Sequence, residues 1–191
     1  MNREDAWQLV TAYTTQPHLI RHMLATEAAM RAYAVRFGGD PDLWGITGLV
    51  HDFDYEQNPD VTVEGHPIVG SRILRERGYP EDVIRAILSH ASEITGVQPE
   101  TLMEKTLVAV DEMTGFLVAV ALVRPSKSIL DVEVKSVRKK WKSKEFAAAV
   151  NREEIEHAAA AIGMSLDDHI QVVLDAMKEI APALGLDHQA A

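Results

Sequence analysis

Residues 101–123 read TLMEKTLVAVDEMTGFLVAVALV and end against Arg124-Pro125. The stretch is apolar on most faces, which predicts a long buried helix stopped by the residue pair before the proline. Asp111 lies inside its most apolar part, Leu107 to Val118. An ionised carboxylate there needs a partner, because burying it bare costs many kcal/mol. Two partners suit the chemistry: a metal ion or a buried arginine.

Working outward, the periodicity is helical nearly everywhere. Residues 3–14 place Trp7 and Val10, with Leu9 and Tyr13, on one side. Pro17 opens a longer helix over 17–37, with Ile20, Leu24, Ala28 and Val35 at helical spacing, ended by Gly38-Gly39. Asp40-Pro41 supplies an N-cap and first-turn pair for a third helix over 41–52. Residues 54–65, with Asn58-Pro59, read as a loop. Helices follow over 67–77 and from Pro80 to His90, the latter with Glu81 and Asp82 where the helix dipole favours them. Beyond residue 123 the pattern gives helices near 131–140, 143–161 and 165–184. Val132-Glu133-Val134 is the one alternating stretch and is too short for a strand. The fold class is all-α: a single domain over 1–191, with a core at about 15–125 and a C-terminal helical extension at about 126–191.

At 191 residues, 47% hydrophobic and 25% charged, the chain has the composition of one folded domain. A chain this long buries roughly 70% of its unfolded surface and needs no staples. It has no cysteine, which excludes disulfides, cysteine zinc sites, iron–sulfur clusters and thiol nucleophiles. Its eight histidines mean that a metal site would be built from imidazole and carboxylate. The charged N-terminus, Met1 to Asp5, is unlike a signal peptide. The longest apolar run, Phe116 to Val123, is too short to span a bilayer, so a cytoplasmic protein without membrane contact is expected. A net charge of −10 argues against nucleic-acid binding, with one local exception. Lys135, Arg138, Lys139, Lys140, Lys142 and Lys144 form an unbroken basic segment where an anionic ligand would be welcome.

His51-Asp52 closes the third helix, where neighbouring side chains can converge on one cation. Taken alone, the pair is a weak signal that a helix-end histidine and a capping aspartate explain better. The surroundings add His22 one turn into the second helix, His66 before Pro67, His90 at the end of its helix, and Asp111. In this order, His22, His51-Asp52, His66, His90, Asp111, the sequence resembles the HD-domain superfamily of metal-dependent phosphohydrolases over about residues 15–125. The string His66-Pro67-Ile68-Val69-Gly70 is similar to the corresponding helix start of HD-GYP phosphodiesterases. Val110 to Phe116 and Leu122 to Lys127 resemble segments of small bacterial HD proteins described as predicted hydrolases.

The resemblance implies a helical HD core with His22, His51, Asp52 and Asp111 around one metal, and Asp52 bridging to a second held by His66 and His90. One or two divalent transition-metal ions are implied (Mn, Fe, Co, Ni or Zn), since four imidazoles and two carboxylates suit them better than Mg or Ca. Two such ions can activate a bridging water and neutralise a phosphoryl oxygen. The chain departs from the HD-GYP pattern: His51-Asp52-Phe53-Asp54-Tyr55-Glu56 lacks the lysine and glycine that follow the pair there, and no GYP motif is present. Cyclic-dinucleotide hydrolysis is therefore not expected. Beside Asp52, Asp54 and Glu56 are candidates to orient water or act as general acid and base, or are solvated loop acids. Arg21, Arg124 and Lys127 are candidate substrate-phosphate contacts, with Arg suited to bidentate contact and Lys to a point charge. Gly45, Gly48 and Gly70 would let helices approach closely. His18, His157, His169 and His188 receive no function.

The expected activity is hydrolysis of a small phosphorylated metabolite or nucleotide by metal-activated water. The alternative is a mixed-valent di-iron oxygenase, which shares the same ligand set within the superfamily, and a third reading is a metal-holding module without catalysis. The expected partner is a small phosphorylated molecule, with neither nucleic acid nor membrane involved. A homodimer is compatible with all three.

Overall fold

The computed structural model describes residues 2–60, 62 and 64–187, and among them there are helices, turns and no strand. The first half follows the caps. Helix α1 (Arg3–Tyr13) starts on Asn2, whose side chain accepts from Asp5 N–H. Helix α2 (Pro17–Phe37) begins at its proline and stops at Gly38, which adopts the left-handed φ of 70°. Asp40 caps α3 (Pro41–Val50) by accepting from the N–H groups of Asp42 and Leu43. After the turns that follow α3 come α4 (Ile68–Glu76), α5 (Glu81–His90) and the single-turn α6 (Ser92–Thr95). The long buried helix is α7 (Leu102–Leu122), fixed at its start by reciprocal hydrogen bonds between Thr101 and Glu104.

The C-terminal part comprises α8 (Val134–Trp141), α9 (Arg152–Ala161), α10 (Leu166–Glu179) and α11 (Ala181–Leu184). It departs from expectation in two places. The helix expected over 143–161 forms only from Arg152, because the Arg152 guanidinium gathers the carbonyls of Trp141, Ser143 and Phe146 and holds the preceding segment in turns. The helix expected over 165–184 breaks at Ile180, just before Pro182, which cannot donate the next helical hydrogen bond.

Two apolar clusters hold these helices. One joins α1, α2, α3, α4 and α5 through Leu9, Met23, Leu49, Leu74 and Ile84. The other surrounds α7, where Leu107, Met113 and Phe116 pack with Tyr33 of α2, Trp141 of α8, Ile155 of α9 and Leu174 of α10. The C-terminal extension thus shares a core with the helix that carries Asp111. Close approach at the site depends on Gly48: a Cβ there would lie 2.8 Å from the Thr26 carbonyl oxygen of α2. No helix of the described residues is long and apolar enough to cross a membrane.

Candidate metal centre

Five segments aim six donor side chains at one point. His22 comes from the second turn of α2, and His51 and Asp52 from the end of α3. His66 precedes α4, His90 is the last residue of α5, and Asp111 lies mid-way along α7. His22 and His51 bring their Nε2 atoms to 3.2 Å, and His66 and His90 do the same at 3.2 Å. Asp52 joins the two pairs: Oδ2 lies 3.6 Å from His22 Nε2, while Oδ1 lies 3.2 Å from His66 Nε2 and 3.6 Å from His90 Nε2. Asp111 Oδ1 lies 3.0 Å from His22 Nε2 and 3.4 Å from His51 Nε2. No arginine meets Asp111 among the described residues; the imidazoles of His22 and His51 converge with it instead.

The ring orientations are set from behind. His51 Nδ1–H donates to the Gly48 carbonyl at 2.8 Å, and His90 Nδ1–H donates to the Ile87 carbonyl. His66 Nδ1–H donates to Asp54 Oδ1 at 2.8 Å. Thr114 gives its own proton to the Asp111 carbonyl at 2.8 Å, so its oxygen accepts from His22 Nδ1–H at 3.2 Å. Every imidazole therefore keeps Nδ1 occupied and turns Nε2 inward, the arrangement that outer partners impose on metal-binding histidines. Donors bound to one ion at about 2.1 Å sit about 3.0 to 3.4 Å apart in octahedral or tetrahedral shells, close to the separations seen here. Two triads could hold an ion: His22, His51 and Asp52, and Asp52, His66 and His90.

The electrostatics describe a negative hole. Burial opposes ionisation of Asp52, yet the His51 charge and the His66 hydrogen bond hold its carboxyl well below the usual range. Asp111 is also held low, since the hydrogen bonds from His22 and His51 override burial. Burial would lower His51 and His66, but the neighbouring carboxylates push both up to about 9. His90 is lowered, chiefly by burial. Protons on His51 and His66 stand where cations would, and a bound metal would displace them.

Other expected site residues lie elsewhere. Asp54 is fully buried, with Oδ1 accepting from His66 and Oδ2 accepting from Gly70 N–H at 2.7 Å. It stands behind His66 and is not a solvated loop acid. Gly70 permits this contact, because a Cβ there would fall 2.6 Å from Asp54 Cγ. The Glu56 oxygens accept from Thr15 N–H at 2.7 Å, Thr15 Oγ1–H at 2.7 Å and Gln16 N–H at 2.9 Å, tethering the post-α3 turns to the entrance of α2. Arg124 pairs with Asp131 at 2.8 Å. α7 runs to Leu122, and at 1.5 Å per residue its rise carries Arg124 about 20 Å along the chain from Asp111. Arg21 is exposed, with its guanidinium beside Gly185 of the extension. In the basic segment, Arg138 pairs with Asp167 at 3.1 Å and Lys140 covers the Phe146 ring.

His18 and His157 are exposed, and His188 lies outside the described residues. His169 is buried in the core, where Nδ1 accepts from Tyr33 O–H at 2.5 Å and Nε2–H donates to the Ala109 carbonyl at 2.8 Å. The residue that sequence reasoning missed is Thr114, although its position one helical turn after Asp111 was a usable signal. A cavity of about 500 Å³ opens on the centre and is lined there by Asp52, His66, His90 and Asp111.

A helical bundle that presents four inward Nε2 atoms and two carboxylates defines a protein built to hold divalent metal. The HD domain family model matches residues 19–114, and the chain belongs to this family of metal-dependent phosphohydrolases. It is also similar to ribonuclease Y of Acidothermus cellulolyticus, at 29% identity over 99 residues. That match covers 51% of this chain but only 19% of the ribonuclease. No solved structure matches the chain significantly.

Proposed function

We propose that this protein is a metal-dependent phosphohydrolase acting on a small phosphorylated metabolite or nucleotide, with His22, His51, Asp52, His66, His90 and Asp111 holding two divalent transition-metal ions. The observation that carries this reading is the convergence of four Nε2 atoms, each with its Nδ1 engaged, around the shared Asp52 carboxylate. Ions bound there would supply an activated water at neutral pH and charge neutralisation for a phosphoryl group. The chain's own part is positional. Asp52 fixes the spacing of the two triads, Asp54 and Thr114 orient His66 and His22, and the cavity admits the substrate from one side. The relative's name, a ribonuclease, agrees with phosphoester chemistry, while this chain's acidity disfavours RNA as substrate.

The test combines elemental analysis of the purified protein with turnover of a panel of nucleotides and phosphate esters under added Mn, Co or Ni. About two metal ions per chain are expected, with release of phosphate, and Asp52→Ala should lose both. Unchanged metal content in Asp52→Ala would refute the ligand set. Full metal loading without turnover on any ester, or a lasting mixed-valent iron signal with substrate-dependent O₂ uptake, would refute hydrolysis.

A further inference from the structure

The wall of the cavity facing the metal centre carries the wrong sign for an anion. Glu93 of α6, Glu112 of α7, and Asn151 and Glu154 at the start of α9 line it, and no lysine or arginine does among the described residues. Glu112 uses Oε2 to accept from Asn151 N–H at 2.7 Å, which anchors α9 and leaves Oε1 uncommitted. Glu93 and Glu154 are exposed and form no ion pair among the described residues. The cation nearest in sequence, Arg152, turns away to cap carbonyls and stack over Phe116. The same cavity is lined by the imidazoles of His66 and His90, whose side chains are only 3% and 8% exposed. This cavity is therefore a route by which a ligand reaches those buried nitrogens, and a ligand that fills it lies against the three glutamates.

A phosphate ester is a di-anion at neutral pH, and carboxylates in a confined cavity repel it. Metal ions can neutralise only the phosphoryl end. The remainder of the molecule faces Glu93, Glu112 and Glu154, and electrostatic complementarity there requires positive charge. We infer that the substrate is a phosphorylated amine, with its phosphoryl group at the metal centre and its ammonium group held by Glu112 and Glu154. This rests on the hydrolase reading above. In the reaction a P–O bond forms to the oxygen of water and the P–O bond to the alkoxy group breaks. The alcohol oxygen takes up one proton from that water, and the ammonium group keeps its charge throughout.

The test compares 3-aminopropyl phosphate with butyl phosphate, which match in length and differ in the terminal charge. Hydrolysis is measured on the Mn-loaded full chain, and binding of 4-aminobutylphosphonate and pentylphosphonate is measured by calorimetry independently of turnover. The amine should be favoured by tenfold or more in kcat/KM, mostly through KM, and its phosphonate should bind tenfold tighter. The preference should fall toward parity in Glu154→Gln and in Glu112→Gln, the latter keeping a carbonyl to accept from Asn151. Equal hydrolysis of the two esters with equal phosphonate binding would overturn the inference and leave the hydrolase reading standing. Selective binding of the amino phosphonate without hydrolysis of either ester would support the ammonium site at Glu112 and Glu154 and overturn the hydrolase reading. Loss of the preference on adding Mg²⁺, with nucleoside triphosphates becoming better substrates than either ester, would show that the glutamates hold a metal and would overturn the inference.

Discussion

Asp54→Asn should weaken one metal position and spare the other. The buried carboxylate accepts two hydrogen bonds, from His66 Nδ1–H at 2.8 Å and from Gly70 N–H at 2.7 Å. Asparagine offers one acceptor and one donor in the same space. If its oxygen faces Gly70, its NH₂ faces His66 Nδ1, and the imidazole must carry its proton on Nε2, where the metal lone pair belongs. If its oxygen faces His66, the NH₂ confronts the Gly70 N–H and a buried donor goes unmet, at about 1–3 kcal/mol. Loss of an outer partner typically lowers metal affinity about 10–100-fold, equivalent to about 1.4–2.7 kcal/mol. Chelator-competition titrations should therefore show two tight equivalents in the parent protein. In Asp54→Asn there should be one tight and one weakened equivalent, because His22 and His51 have separate supports. Gly70→Ala pushes a Cβ to within 2.6 Å of Asp54 Cγ and should give the same asymmetric signature. Equal weakening of both positions, or none, would refute the assignment of Asp54 as the residue that orients His66.

Thr114→Val removes the acceptor behind His22 and should weaken the His22/His51 position about 10–100-fold, whereas Thr114→Ser should retain it; indistinguishable titrations for the two variants would count against this role. Because His51 and His66 sit at about 9 without metal, binding must displace protons. Apparent affinity should therefore fall as pH drops from 8 to 6, by about tenfold per pH unit for each proton displaced, and a pH-independent titration would contradict this. Burial lowers His169 to about 4, so the unfolded chain binds its proton first. The stabilisation is complete above about 6.5 and is lost as pH falls toward 4, by up to about 3 kcal/mol. Thermal melts of His169→Gln should lose less stability than the parent over that window, and parallel pH profiles would refute the role.

The candidate ligand set came from the resemblance to HD-domain proteins, carried by the order His22, His51-Asp52, His66, His90, Asp111, since each residue taken alone has an ordinary local explanation. His51-Asp52 follows a capped helix, and Asp111 interrupts an apolar run that cannot tolerate a bare carboxylate. Helix starts at Pro17, Asp40-Pro41 and Pro80 were readable locally. What escaped depended on contacts distant in sequence. The turns before Arg152 arise from one guanidinium collecting carbonyls that no local pattern announces. Arg124 stands close to Asp111 in sequence, but helical rise carries it about 20 Å away along the chain. Asp54 and Glu56 both read as loop acids, and only the packing against Gly70 and the Thr15–Gln16 backbone separates a buried orienting carboxylate from a surface tether.

Asp52 also has a topological consequence. The donors it joins close loops of 29 residues between His22 and His51 and of 24 between His66 and His90. In a chain without cysteine, occupied triads would act as cross-links that tie α2, the end of α3 and α5 together and restrict the unfolded ensemble as a disulfide does. Unlike a disulfide, such a cross-link forms and dissolves with free metal concentration, so the lifetime of the folded chain against proteases becomes a readout of metal supply.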